Sequence, residues 1–358
     1  VEFRKFIQML DSDGQLYHVI KEVDWKYQIG EKSRVQQKNN ADTPVLLFEN
    51  VKDYPGFRLV TNALCDYSKI ALALNLDPST SANQLYSIFW QRLSNMIDPA
   101  IIGNGPVEEN KIDRDGVDLF KLPVPWWSRA DGGRYIGTWH INVSKDPETG
   151  RRNLGVYRMM VIDSNHTTVS VSPNGHLAHH IQKALLHGKP LEMSVAIGVS
   201  EALIIAASCA FPLGTDEYCK AGAFCNSPVK LVKCRTVDLE VPADSEIVIE
   251  GVIDTNIRVT DGPFLDYAGI TNTNHNAYRF EVTGIMHRNN PIFRGAAVGC
   301  PGTEDHVLFS FLSQFGLVDF HGSRLRQKVQ NYLLKKRAYR AFQLSGRASQ
   351  LLKSILKS

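Results

Sequence analysis

Acidic side chains are missing from the end of this chain. None follows Asp319, while residues 323–358 carry ten lysines and arginines. The formal net charge of +3 therefore combines an acidic body, net −7 over residues 1–322, with a basic tail. Cysteine is scarce. Cys65, Cys209, Cys219, Cys225, Cys234 and Cys300 are spread over 358 residues with no CxxC pair. That excludes a disulfide framework or a zinc finger and predicts ordinary reduced thiols in a cytoplasmic protein. Long apolar runs are also missing. The longest, residues 202–212, is broken by Ser208 and is too short to span a bilayer, and no signal-peptide pattern opens the sequence. No membrane partner is expected. Common catalytic signatures are absent too: there is no Walker A loop, HExxH or GxSxG, and Gly103-Asn104-Gly105 lacks the third glycine of a dinucleotide loop.

What is present is an ordinary globular composition, 43% hydrophobic and 22% charged, with length for two or three domains. Residues 1–110 mix helix and strand. Phe3, Phe6, Ile7 and Leu10 recur at helical spacing before Asp13-Gly14, residues 45–48 read as a buried strand, and 64–76 and 82–97 read as helices, the second stopped by Asp98-Pro99. Residues 111–300 are strand-rich, with runs at 136–143, 155–162, 167–171, 231–234, 246–253 and 278–286. Turn signals such as Asp131-Gly132-Gly133 and Pro173-Asn174-Gly175 separate them, and two helices, 176–187 and about 200–210, interrupt. This predicts an α+β fold: an N-terminal α/β domain over 1–110, a β-barrel-like domain over 111–300 and a helical segment over 301–358. In that last segment Val329, Tyr332, Leu333 and Tyr339 alternate with basic residues.

Candidate chemistry gathers where the β-rich region turns. Asn153 and Arg158 lie five apart, His176 opens a helix, Glu217 follows Thr215-Asp216, and Asp261 and Asp266 flank Gly262-Pro263-Phe264-Leu265. An amide, an imidazole and a carboxylate together suit a divalent cation of hard preference. An arginine between two carboxylates suits binding of a carboxylic acid. Each residue also has a plainer reading: Asn153 as a turn residue, His176 as a helix cap, Asp261-Gly262-Pro263 as turn chemistry. The adjacent pair His179-His180 cannot share one helix face and reads as structural or surface. Trp126 and Trp127 read as packing residues, with stacking on an aromatic acid as the alternative.

Several blocks in order carry a family resemblance. They are Lys121-Leu122-Pro123-Val124-Pro125-Trp126-Trp127, Asp131-Gly132-Gly133-Arg134-Tyr135, residues 145–158 ending in Arg151-Arg152-Asn153-Leu154-Gly155-Val156-Tyr157-Arg158, residues 238–251, and Asp261-Gly262-Pro263-Phe264-Leu265-Asp266. From about residue 24 to 306 the sequence resembles the UbiD family of reversible decarboxylases, which use prenylated flavin mononucleotide (FMN). The resemblance implies a central split β-barrel flavin-binding domain and non-oxidative decarboxylation of a small aromatic or α,β-unsaturated acid, with a flavin prenyltransferase as cofactor supplier and a homo-oligomeric state. It assigns Asn153, His176 and Glu217 as ligands of Mn2+ or another divalent cation, and Arg158, Asp261 and Asp266 as the catalytic acid–Arg–acid network. Val156, Tyr157, Arg158 and Pro212 join the metal ligands as cofactor-binding positions. The stretch 209–212 matches where family members line the flavin and a K+ site.

The sequence departs from the family at Leu265, where Gly is usual; a positive φ there would strain a branched side chain. Asp266 stands where Glu is frequent, one methylene shorter. After about residue 306 the resemblance fades, and the family's C-terminal α/β domain is read as absent. These departures keep open a flavin-binding paralogue with impaired or no decarboxylase activity. The basic tail has no recognition fold beside it, so nucleic acid is not an expected partner.

Overall fold

The computed structural model describes residues 1–39, 44–299 and 302–318. Helix α1 (Phe3–Ser12) buries the Phe3, Phe6, Ile7 and Leu10 stripe. It packs beside β1 (Leu16–Val19), which is followed by α2 (Gln28–Asn39), β2 (Val45–Phe48) and β3 (Arg58–Thr61). Helix α3 (Tyr67–Ala73) is shorter than the predicted 64–76, because the Asp66 carboxylate accepts the Lys69 amide and sets the N-cap. Helix α4 (Ala82–Leu93) opens with a Ser81–Gln84 capping box. It ends four residues before the predicted 97, and Ile97 instead donates its amide to the Cys219 carbonyl at 3.1 Å.

Strands β4 (Ala100–Ile101), β5 (Asn110–Asp113), β6 (His140–Lys145), β7 (Arg152–Gly155) and β8 (His166–Val169) precede α5 (His176–Leu186), which matches its prediction. The run at 155–162 does not form a strand; the ladder lies earlier, in β7, and only isolated bridges at Met160 and Val161 follow. Side chains intercept the backbone there: Asn142 Oδ1 accepts the Tyr157 amide and Thr168 Oγ1 accepts the Met160 amide. Next come β9 (Leu191–Ile197), α6 (Glu201–Ala207), α7 (Glu217–Cys225), β10 (Lys230–Lys233) and β11 (Glu240–Pro242). Two long strands follow, β12 (Ile247–Leu265) and β13 (Thr271–His287), then β14 (Ile292–Arg294) and α8 (Glu304–Ser313). Strand β9 and helix α7 were not foreseen.

The main sheet is antiparallel, in the order β5-β13-β12-β9-β6-β7 with β8 also on β13, and it curls into a half-barrel. A four-stranded sheet, β1-β2-β3-β14, takes its last strand from residues 292–294, beyond the boundary read at 110. The fold is mixed α/β and matches solved structures described below. Among the described residues no helix is long and apolar enough to cross a membrane. Among them, too, Cys65, Cys209, Cys219, Cys225 and Cys234 form no disulfide. Of the helical reading over 301–358, only α8 falls in the described part; Val329, Tyr332, Leu333, Tyr339 and the basic tail lie outside it.

Candidate functional site

The short stretch from Asn153 to Arg158 feeds two clusters. Asn153 sits in β7 opposite Ser144, so it is a strand residue and not a turn residue. Its side chain is buried, with Oδ1 3.0 Å from His176 Nδ1. His176 is the first residue of α5, but it does not cap it: the N-cap is Gly175, without a side-chain bond, and the imidazole points to Asn153. Glu217 opens α7 just after the N-cap Asp216, which accepts the Tyr218 amide. Its Oε2 accepts the Leu154 amide at 2.8 Å and its Oε1 lies 4.0 Å from His176 Nδ1. Three separate elements thus deliver one amide, one imidazole and one carboxylate to a single point.

Burial dominates the electrostatics of that point. Burial, with Asp216 adding repulsion, pushes the Glu217 carboxyl up to about 8. Burial, helped by His179, lowers His176. Asn153 Nδ2 is buried without a hydrogen-bond partner. A buried carboxylate and a neutral imidazole beside a polar amide fit a divalent ion, whose charge reverses the local cost of ionising Glu217. A cleft of about 160 Å³ lined by Arg151, Arg152, Asn153 and His180 opens beside the three. Of the histidine pair, His180 is buried against Ser144 and His179 is exposed.

The second cluster begins at Arg158. Its Nε donates to Asp261 Oδ2 at 2.5 Å and its Nη1 to Asn272 Oδ1 at 2.6 Å. Asp261 is fully buried and also accepts from the Thr168 hydroxyl at 2.7 Å. Asn272 Nδ2 donates to Asp266 Oδ2 at 2.7 Å, and Asp266 Oδ1 accepts the Ala268 and Ile270 amides at 2.9 and 3.2 Å. The Tyr135 phenol close by is raised by burial and by Asp261.

The segment Asp261-Gly262-Pro263 is not a turn. It continues β12, and the reversal comes at residues 266–270. Register shifts against β13 on both sides of Asp261 break the ladder and let the Asp261 carboxylate turn inward. Gly262 has φ +122°, and a Cβ there would stand 2.9 Å from the Asn272 carbonyl oxygen. The Asp131-Gly132 loop clamps this irregular stretch: Asp131 Oδ1 accepts the Leu265 amide at 2.8 Å and Gly132 donates to the Pro263 carbonyl at 2.6 Å. Leu265 is extended, without positive φ, so the irregular residue is accommodated. Its side chain lies over Gly299, where a Cβ would come within 2.6 Å of Leu265 Cγ.

A cavity of about 500 Å³ has Val156, Tyr157, Arg158, Asp266 and Asn272 among its lining residues, with Trp139 and Ser208. Trp139 is held rigidly: its Nε1 donates to Glu201 Oε2 at 2.9 Å, and Glu201 pairs with the buried Arg294 at 2.7 Å. Arg294 pairs in turn with Glu304, which accepts the Asn62 and Leu64 amides. Trp127 is buried with its indole bonded to the Tyr135 carbonyl, while Trp126 is half-buried. Pro212 is exposed on the α6–α7 loop and does not line the cavity. The neighbouring Phe211 carbonyl is what meets His176. Sequence reasoning missed Asn272, Thr168 and Trp139. Asn272 and Thr168 reach the cluster only through strand pairing with bulges, which carries no local signal.

Two family profiles match the chain: the 3-octaprenyl-4-hydroxybenzoate carboxy-lyase Rift-related domain over residues 101–301 and the N-terminal domain of the same group over 7–88. Curated relatives include a phenolic acid decarboxylase of Bacillus subtilis, 30% identical over 85% of this chain and 65% of its own length. Ferulic acid decarboxylase 1 of Candida dubliniensis is 31% identical over 87% of this chain and 64% of its own. A pyrrole-2-carboxylic acid decarboxylase of Pseudomonas aeruginosa is 30% identical over 89% and 66%. The chain thus spans just under two thirds of the length of these relatives. Among solved structures, an evolved dimeric form of the UbiD-class enzyme HmfF from Pelotomaculum thermopropionicum, in complex with prFMN, matches with TM-score 0.79 and 32% identity, covering 87% of this chain and 70% of that one. The vanillic acid decarboxylase of Sedimentibacter hydroxybenzoicus in closed form matches with TM-score 0.83 and 30% identity, over 87% and 67%.

Proposed function

The chain belongs to the UbiD family of carboxy-lyases, and from that premise we propose that it catalyses the non-oxidative, reversible decarboxylation of an aromatic or α,β-unsaturated acid on a bound prenylated FMN. The observation that carries the proposal is the run Asp261–Arg158–Asn272–Asp266 along one side of the cavity. The phenolic, ferulic and pyrrole-2-carboxylic acids in the relatives' names support the substrate class. When bound, prenylated FMN supplies the electron sink for the charge that decarboxylation leaves on an sp2 carbon.

The protein's own residues do the rest. Asp261 neutralises Arg158 and fixes its orientation, leaving the guanidinium edge toward the cavity to hold the substrate carboxylate. Asp266, on the cavity wall, is the proton donor to the carbon that lost carbon dioxide. Trp139, locked by Glu201, presents an aromatic wall to the ring of the substrate or cofactor. Asn153, His176 and Glu217 would hold Mn2+ or another divalent cation, which would supply positive charge to offset that of the cofactor phosphate. Val156, Tyr157 and Arg158, on the cavity wall, would line the flavin, and the loop after Cys209 would hold a K+ ion. The half-barrel region over 111–300 is the split-barrel flavin-binding unit, and residues 1–110, their sheet completed by β14, form the α/β unit. A flavin prenyltransferase supplies the cofactor, the chain works as a homo-oligomer, and its place is the cytoplasm.

A second reading has one observation in its favour: Asp266 makes no direct bond to Arg158 among the described residues. It is a flavin-binding paralogue with impaired or no decarboxylase activity. Co-expression with a flavin prenyltransferase under anaerobic conditions separates the two. The first requires bound flavin of prenylated mass and loss of carbon dioxide from at least one acid of an aromatic and unsaturated panel. The second requires the same flavin and no product.

A further inference from the structure

Asp266 is held in place by three bonds, and none of them comes from the arginine its proposed role depends on. The Ala268 and Ile270 amides take Oδ1 into the turn that closes the β12–β13 hairpin. Oδ2 takes the Asn272 side-chain amide, whose carbonyl in turn accepts Arg158 Nη1. The other acid, Asp261, touches Arg158 directly. The two acids are thus bound unequally: one by contact, the other through a primary amide.

Resting on the decarboxylase reading above, we propose that Asn272 is a positioning residue that bridges Arg158 to the proton donor Asp266 and sets where that donor points. The chemistry of an amide suits this. Its carbonyl accepts from the cationic guanidinium and its NH2 donates to a carboxyl oxygen of Asp266, so the two ends of the amide are not interchangeable. The side chain does not titrate, so it carries no proton itself; it fixes distance and angle. An aspartate lacks one methylene relative to glutamate, a reach of about 1.5 Å, and the inserted amide spans the gap that the shorter acid leaves. The hairpin register supplies the geometry. Asn272 pairs with Phe264, two residues along β13 from Asn274, the partner of Asp261, so it falls between the two acids along the hairpin. Because Asn272 lies at the cavity, it also limits how closely a substrate approaches Asp266.

The test uses the full chain loaded with prenylated FMN, on whichever acid of the panel it converts. Asn272→Ala is expected to lower kcat about 10–100-fold through misplacement of the donor. KM should change less than about threefold, since Arg158 keeps Asp261 and still holds the carboxylate. Adding Asp266→Glu to Asn272→Ala is expected to restore most of the lost kcat, because the longer acid reaches the guanidinium unaided. An unchanged kcat in Asn272→Ala, or a fall that Asp266→Glu leaves unrepaired, overturns the proposal. A second readout needs no turnover. With asparagine-selective 15N labelling, the Asn272 side-chain amide is the resonance lost in Asn272→Ala. It is expected to shift upfield in Asp266→Ala as its hydrogen bond to Oδ2 disappears, and an unmoved resonance overturns the bridge. If the wild-type protein converts no acid but the amide responds to Asp266→Ala, the decarboxylase reading fails and the bridge stands.

Discussion

Asp261 has no exposure to water and two partners, the Arg158 guanidinium and the Thr168 hydroxyl. Removing the cation leaves a buried carboxylate with one neutral donor. Arg158→Ala is therefore expected to cost about 3–5 kcal/mol of folding stability as well as activity. Arg158→Lys should recover part of the stability but not the activity, because an ammonium cannot grip Asp261 and Asn272 with two fixed N–H vectors. Urea unfolding of both variants checks this. Asp131 gives a pH prediction. Burial raises its carboxyl to about 6 from an ordinary value near 4, and its Oδ2 has no hydrogen-bond partner. The folded state then holds a proton that the unfolded chain has released. Its stability contribution is intact below about pH 4, falls as pH rises through about 6, and stays low above that. Asp131→Asn keeps an oxygen for the Leu265 amide and loses the ionisation. Its Tm is expected to exceed wild type at pH 8 and to match it at pH 4; a difference independent of pH would contradict the account.

At the scale of elements, the buried Arg294 joins three of them: β14, which carries it, α6 through Glu201, and α8 through Glu304. Glu304 adds the chain after β3 by accepting the Asn62 and Leu64 amides. Arg294→Met leaves two buried carboxylates unpaired and is expected to destabilise the fold by about 3–5 kcal/mol. Quenching of Trp139 fluorescence by acrylamide should rise in the same variant, since Glu201 then loses the partner that holds it under the indole. Elements with strong apolar periodicity were legible from sequence: α1, α4 and α5 follow their i, i+3, i+4 stripes, and the proximal halves of β12 and β13 follow their apolar runs. The distal halves were not. Residues 271–277 are polar and largely exposed, so no alternation marks them, while in 254–263 only Ile257 and Val259 alternate with polar residues and Gly262-Pro263 reads as a turn. The structure brings Asn153, His176 and Glu217 together, a grouping that spacing alone did not mark, since it left Asn153 a turn reading and His176 a cap reading. Asn272 had no signal at all: its place depends on bulges that only the paired hairpin defines.

At the scale of the molecule, the charge seam near residue 320 separates the described body from ten basic residues that lie outside it. Every residue given a role in the proposed chemistry lies in the acidic body. So do the half-barrel, the 500 Å³ cavity and both side-chain clusters. The proposal therefore stands or falls on that body. Its most direct test is product analysis in D2O. The chain, co-expressed with a flavin prenyltransferase and purified anaerobically, is incubated with the acid panel beside its Asp266→Asn variant. The account requires a decarboxylated product carrying one deuterium at the carbon that bore the carboxylate, and bound flavin but no product in the variant. Prenylated flavin bound to the wild-type chain with no acid consumed, or full turnover in Asp266→Asn, would contradict it.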